Sequence, residues 1–379
     1  MATQKIETFI TAELQDRVWE SLHKRSLSKN IANAYIFSGP SGSGKEHLAI
    51  EFSKLLNCEK PEKMGCNNCP SCRRFLKLQH EKLKLIFPLP TPANKSSSRS
   101  TIDNKNLELV TQEISKKSVN PFHKIKIPGA TRILINSIRE LRKSLYLKSE
   151  NSGRGIVLIF DAHLLSMGQG EAGNALLKLL EEPPNNISFI LVTDQINLIL
   201  TTILSRCQCI TFPKLNNKVI EDWLYMKKIN ENDIPFFTGL SNGNVHQAEF
   251  LISHKKEELL ILVNTLVGVL IAKNSEKWRK FIQTYSKLAK DDFILFSFHL
   301  MLLKIWFQST NRLKNNINHL LHNTQLKSGM ERFISIYKEA DYSAIISEVE
   351  ELNNSVKINL FMPLALTTFL LKIQKNINN

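Results

Sequence analysis

Long uninterrupted apolar runs are missing from this chain. The longest, such as Leu259–Ala272, contain a polar break and fall short of the ~20 residues a bilayer-spanning helix needs, so no membrane span is expected. The opening residues, Met1–Asp16, have no apolar h-region and no small-residue cleavage site, which argues against a signal peptide and for a cytoplasmic address. Cysteine is scarce, with six in 379 residues. A chain of this length buries a core without disulfide staples, and in a reducing compartment those six are thiols or metal ligands. Acid is in deficit, 35 Asp and Glu against 50 Lys and Arg, for a formal net charge of +15. The excess is concentrated up to Leu215, where 30 basic residues face 19 acidic ones; the remainder holds 20 and 16. A polyanion such as nucleic acid is the leading partner class, and plain solubility the alternative. The 42% apolar and 22% charged shares are ordinary and leave the fold class open.

At ~150 residues per domain the length implies two or three domains. Residues Leu14–Leu27 read as an amphipathic helix, with Leu14, Val18 and Leu22 four apart. A short apolar strand, Ala34–Phe37, runs into GPSGSGKE at Gly39–Glu46, and a helix follows with Leu48, Phe52, Leu55 and Leu56 on one face. The segment Pro88–Ile127 is polar and rich in Ser, Asn and Lys; it reads as a long, partly mobile insertion. Ser137 and Glu140 suggest a capping box for a helix using Ile138, Leu141 and Leu145. Ile156–Phe160 and Ile187–Thr193 are continuous apolar runs of the kind buried on both faces of a parallel sheet. Asn174–Glu181 is helical and stopped by Pro183-Pro184, and Ile210–Phe212 is a last short strand. Strand–helix alternation up to about residue 213 predicts a doubly wound α/β domain. Beyond it only helical periodicity is found, as in Leu259–Ile271, Phe293–Phe307 and Leu360–Ile373.

The glycine-rich loop carries the clearest chemistry. Gly39, Gly42 and Gly44 allow backbone N–H groups to approach phosphate oxygens at a helix N-terminus, and Lys45 would reach the outer phosphates. A chance turn before a helix is the plainer reading. The next residue departs from a working loop: Glu46 stands where a Ser or Thr hydroxyl ligates magnesium, and its carboxylate would repel a triphosphate. Asp161, after the strand IVLIF, suits an aspartate near a metal, or simply ends a strand. The residue after it is Ala162, which cannot act as a base toward water. Cys58, Cys66, Cys69 and Cys72 read C-x7-C-x2-C-x2-C, which four-coordinate structural zinc would satisfy; an iron–sulfur cluster and free thiols remain open. Cys207 and Cys209 read as ordinary buried thiols. Arg206 follows a strand and a short helix and can project from the domain edge, toward a neighbour's phosphate or merely into a surface salt bridge.

The order NAYIFSGPSGSGK, the four-cysteine module, IVLIFDAHLL, NALLKLLEEPP and TTILSRCQ resembles the bacterial clamp-loader AAA+ subunits over most of residues 33–212. The resemblance implies a phosphate-loop α/β domain with its zinc module over 1–213, a helical lid over 214–252, and a helical collar used in oligomerisation over 253–379. It implies that Arg206 acts in trans on ATP held by an adjacent gamma/tau-type motor subunit. It also places Thr193 at the sensor position and His246 where the lid's sensor arginine falls. Partners implied are motor subunits, a delta subunit, the sliding clamp, and primer-template DNA met through phosphates. Glu46 and Ala162 resemble the non-hydrolysing kind of subunit, with ATP binding weak or absent and zinc as the structural cofactor.

Overall fold

The computed structural model describes residues 15–28, 30–91, 104–146, 153–317, 321, 323–356 and 360–378. They divide into two compact units, the first comprising 1–219 with 243–246 and the second 220–242 with 247–379.

The first unit is built on a five-stranded, wholly parallel sheet. The strands are β1 (Ala34–Ser38), β2 (Leu83–Ile86), β3 (Gly155–Ile159), β4 (Ile187–Thr193) and β5 (Gln208–Thr211), in spatial order β2-β3-β4-β1-β5. Every residue of β1 and β4 is buried, because these apolar runs have helices to meet on both faces. The period of two divides the labour along β1. Tyr35 packs edge-on against Phe52 of α2 (Lys45–Leu56), with ring centroids 5.8 Å apart. Ala34 and Ile36 belong instead to a core shared with Ile138 and Leu141 of α5 (Ile135–Tyr146) and Leu176 and Leu179 of α6 (Glu171–Glu181). The remaining helices of this unit are α1 (Asp16–Leu27), α3 (Pro70–Leu76), α4 (Asn104–Val119) and α7 (Thr201–Leu204).

Several expectations are corrected. The helix expected to be capped by Ser137 starts at Ile135, and Ser137 is buried inside it. Within the polar insertion, expected to be partly mobile, residues 104–119 form a helix that the sequence reading did not anticipate, and Phe122, Ile125 and Ile127 beyond it are buried. Residues 92–103 of that insertion, and Leu14, lie outside the described residues. Strand β2, a four-residue alternation in a charged context, was not apparent from periodicity.

In the second unit the elements are α8 (Asn217–Met226, whose first residues belong to the first unit), α9 (Ile234–Ser241), α10 (Val245–Leu251, likewise shared), α11 (Lys256–Ile271), α12 (Ser275–Asp291), α13 (Phe293–Lys314), α14 (Thr324–Ile336), α15 (Tyr342–Ser355) and α16 (Met362–Ile377). Asn274, Asp292, Asn323 and Asp341 each cap a helix by accepting from its first-turn N–H groups. By length and composition α13 could cross a bilayer. Its Phe296, Leu300, Leu303 and Phe307 are instead buried in the helical unit, and Trp306 meets Phe333 edge-on at 5.4 Å.

Candidate functional site

In a parallel sheet, ligand chemistry gathers at the carboxyl ends of the strands. Three such ends converge here: the loop 39–44 leaves β1, Asp161 follows β3, and Asp194 follows β4. Gly42 and Gly44 sit at φ +67° and +83°, in the left-handed region that glycine enters without strain. A Cβ on Gly42 would lie 1.8 Å from Asn244 Oδ1, so the loop and the 243–246 segment approach as closely as only glycine permits. Val245 N–H donates to Gly42 O at 3.2 Å. Gln15 ties the loop from the other side, donating to Ser43 O at 3.2 Å and Pro213 O at 2.7 Å.

Lys45 opens α2 and is buried. Its ammonium does not reach into an open pocket. It donates to Gly39 O at 2.8 Å and Pro40 O at 2.6 Å, and pairs with Asp194 at 2.8 Å. Burial lowers its pKa despite Asp194. Glu46 is ion-paired to Lys117, whose side chain is fully buried and also donates to Pro121 O at 3.2 Å and His123 O at 2.7 Å. Lys124 pairs with Asp161 at 2.7 Å and approaches Asp194 at 3.6 Å. Burial by itself would raise the Glu46 pKa, but the Lys117 and Lys124 ammoniums outweigh it and hold the carboxyl below its usual range. Burial likewise opposes, and Lys124 and Lys45 together overcome it, in lowering Asp194. His246 is pushed down to about 4 by burial with Lys124 and Lys117 nearby, against Glu46, so it is neutral at pH 7.

Three lysines thus neutralise three carboxylates where a nucleotide's phosphates and metal would lie in a working loop. The cavity left between Lys45, Glu46, Lys124, Asp194 and His246 is about 20 Å³. That is room for about one water, where ligand pockets run to roughly 300–1,000 Å³. Lys117–Glu46 is the most enclosed of the three pairs, and separating it, at about 3–5 kcal/mol for a lost buried partner, would offset much of the roughly 8 kcal/mol that a micromolar ligand contributes. Ala162 is fully buried and carries no base. Thr193, at the end of β4, meets His163 Nδ1 at 3.2 Å and accepts from Gln195 N–H at 3.0 Å.

Arg206 lies just beyond α7, with its side chain 37% exposed. It donates to Thr202 O at 3.0 Å and pairs with Glu181, the last residue of α6, at 2.9 Å. The surface salt bridge open from spacing is therefore present, and it leaves the guanidinium at the surface.

Cys58, Cys66, Cys69 and Cys72 bring their Sγ atoms within 4.8 Å of one another. Zinc–sulfur bonds of ~2.3 Å place tetrahedral sulfurs about 3.8 Å apart, so the set fits zinc with small adjustments. Backbone donors favour a thiolate at Cys66, while burial raises Cys58 and Cys72. The N–H groups of Cys66, Cys69 and Cys72 donate to the sulfurs of Cys58, Cys66 and Cys69 at 3.2–3.3 Å. Such donation from Cys69 and Asn68 lowers Cys66 to about 6. Asn67, at φ +59°, turns the chain between Cys66 and Cys69, and its Oδ1 accepts from Lys54 at 2.6 Å. Cys207 is half-buried and Cys209 exposed on the edge strand β5, which corrects the reading of both as buried thiols.

Sequence reasoning missed Lys117, Lys124, Asp194, Gln15 and Glu181. Lys117 and Lys124 left only one faint signal, a pair of lysines flanking the short apolar-aromatic turn Pro121-Phe122 inside an otherwise polar insertion.

Sheet order and loop position define an AAA+ α/β domain followed by helical structure. Comparison with known families matches residues 14–216 to the family described as DNA polymerase III, delta subunit. The chain is 26% identical over 277 residues to DNA polymerase III subunit tau of Bacillus subtilis, covering 68% of this chain and 41% of that protein. It is 28% identical over 236 residues to DNA polymerase III subunit delta' of the same organism, covering 62% and 58%. It is 27% identical over 326 residues to DNA polymerase III subunit gamma of Buchnera aphidicola, covering 78% of each. The chain thus spans about half the length of the two Bacillus relatives. A DNA polymerase III gamma subunit-related protein of Thermotoga maritima is a structural neighbour at TM-score 0.42 and 16% identity, covering 95% of this chain and 99% of that one. The chain belongs to the family described as DNA polymerase III, delta subunit.

Proposed function

We propose that this chain is a delta-prime-type subunit of the DNA polymerase III clamp loader, a member that does not hydrolyse ATP and that lends Arg206 to ATP held by a neighbouring gamma/tau-type motor subunit. The observation that carries this reading is the contrast between the two sites. The phosphate loop is filled by its own ion pairs, with Glu46 and Ala162 in place of the hydroxyl and the base. Arg206 meanwhile stands at the surface with a planar donor fork. In the assembled ring Arg206 exchanges Glu181 for phosphoryl oxygens of the neighbour's ATP and stabilises the charge that develops on transfer. Lys45, Asp161 and Thr193 hold the loop and strand ends in shape. Residues 214–252 act as lid and 253–379 as collar. The delta subunit, the sliding clamp and primer-template DNA are the further partners, DNA being met through phosphates by basic residues of the first domain.

The test is a loader reconstituted with clamp and primed DNA. Arg206→Ala folds and enters the ring, yet DNA-stimulated ATPase falls, because an arginine finger contributes ~10³-fold or more at the site it completes. The total falls by less, since sites between motor subunits keep their own arginines. Arg206→Lys rescues poorly, lacking the fork. ATPase and clamp loading unchanged in Arg206→Ala would show that Arg206 is only a surface arginine. A second reading, an ATP-hydrolysing motor subunit, draws on the likeness to tau. It requires magnesium-dependent turnover by the isolated chain that Lys45→Ala abolishes; the filled site predicts none.

A further inference from the structure

The groups that close the phosphate loop come from two places in the chain. Lys45, Glu46, Asp161 and Asp194 belong to the loop, the helix it opens and the strand ends, positions at which an ATP-binding member of the fold holds phosphate and metal. Lys117 and Lys124 do not. They come from the last turn of α4 and the segment just after it, 71 residues beyond Glu46 in the case of Lys117. Their placement is built rather than incidental. The Lys117 side chain is fully buried, its ammonium is satisfied by Glu46 and by the carbonyls of Pro121 and His123, and it lies 5.0 Å from the centre of the Phe160 ring. Phe122 packs on His47 of α2 with ring centroids 5.2 Å apart, fixing the turn between the two lysines against the nucleotide-side helix.

The charges match a cation's task. Asp161 stands where an acidic residue attends a metal, and here a Lys124 ammonium lies 2.7 Å from it. Asp194 is shared between Lys45 and Lys124, so one carboxylate joins the loop lysine to the insertion lysine. The 243–246 segment closes the other side through Val245 and Asn244.

We propose that the segment from Lys117 to Lys124 is a built-in occupant of the nucleotide site, whose two ammonium groups take the place of metal and ligand and hold the loop, the strand ends and the 243–246 segment together without ATP. The proposal builds on the non-hydrolysing role argued above and concerns the same site. A bound nucleotide in an ATP-using member ties these segments only while it is present. Here the tie is covalently part of the chain and stays in place whether or not nucleotide is present.

The probe is magnesium with methylanthraniloyl-ATP, titrated into the full chain and read by fluorescence anisotropy. Wild type and Glu46→Thr bind nothing detectable up to about 1 mM. The triple variant Glu46→Thr, Lys117→Met, Lys124→Ala removes both partners of the buried pair and empties the Lys124 position. It binds at least ~10-fold below that limit. Binding by wild type overturns the proposal. So does a triple variant that matches wild type in circular dichroism and bound zinc but does not bind, and so does Glu46→Thr binding as well as the triple variant. Lys124→Ala alone provides a second measurement, since its side chain is partly exposed and its loss does not threaten folding. Amide exchange in 39–48 and 243–246 speeds up at least ~10-fold in that variant. Unchanged exchange overturns the clamping role. None of these readouts involves Arg206 or a loader, so failure here leaves the Arg206→Ala result standing, and the converse holds.

Discussion

Replacing Lys117 by Met is the sharpest perturbation of this fold. Met has nearly the same volume, so packing is retained while one charge is removed. Glu46 is then left partly buried with Lys124 as its remaining cationic neighbour. Breaking a buried ion pair from one side costs about 3–5 kcal/mol, and the carbonyls of Pro121 and His123 lose a donor, at roughly 1 kcal/mol each where water does not replace it. The sum is a large part of the roughly 5–15 kcal/mol that holds a domain folded. Adding Glu46→Leu removes the stranded charge. The double variant is therefore expected to recover about 2 kcal/mol or more relative to the sum of the two single changes. The assay is amide exchange by mass spectrometry on peptides from 45–56 and 113–127, alongside urea unfolding, because a chain of two units has no single two-state transition. The reasoning is refuted if Lys117→Met costs under about 1 kcal/mol and the two changes add within about 0.5 kcal/mol. That result would mean that the pair is solvated and the site open.

Two other outcomes follow from the site. Purified chain is expected to carry about one zinc per molecule, lost together with thermal stability in Cys66→Ser or on chelation; iron, or no metal, contradicts a structural zinc site. The first unit is expected to lose stability as pH falls from about 6.5 to 4. The unfolded chain protonates His246 from its ordinary 6.5 downward, whereas the folded one resists until about 4, so the unfolded state binds more protons across that window. Below it Glu46 and Asp194, both held under their ordinary values of 4.5 and 3.8, withdraw their contribution as pH falls through their lowered folded values. Urea midpoints measured from pH 7 to 4 test the first part, with His246→Gln reducing the slope and buried His47 and His80, also held below 6.5, keeping the rest; an unchanged slope would remove His246 from the account.

Much of the framework was legible because apolar periodicity reports burial directly. The runs at 34–37, 156–160 and 187–193 each became a strand within a residue of the expected limits, since a strand covered on both faces has to be apolar throughout. The glycine loop, the four cysteines and the presence of Glu46 and Ala162 where a hydroxyl and a carboxylate would be expected were equally plain, because each depends on residue type and on spacing too short for the fold to alter. Helix starts were less so: Ser137 has the chemistry of a cap, yet Leu134 and Ile138 had core to bury and drew the helix start forward to Ile135.

What the chain order by itself determined, then, was the sheet, the loop, the thiol cluster and the residue types at positions 46 and 162. What the tertiary structure alone decided was where the charges go. A lysine in a polar insertion has the same local signature whether it is solvated or fully buried. Only the packing of α4 and the turn after it against α2 and the strand ends brings Lys117 to Glu46 and Lys124 to Asp161. The same holds for Glu181 beside Arg206 and for Cys209, exposed because β5 falls at the sheet edge. Apolar burial follows a periodic pattern along one segment, whereas an ion pair is a relation between two segments that no single stretch of sequence encodes.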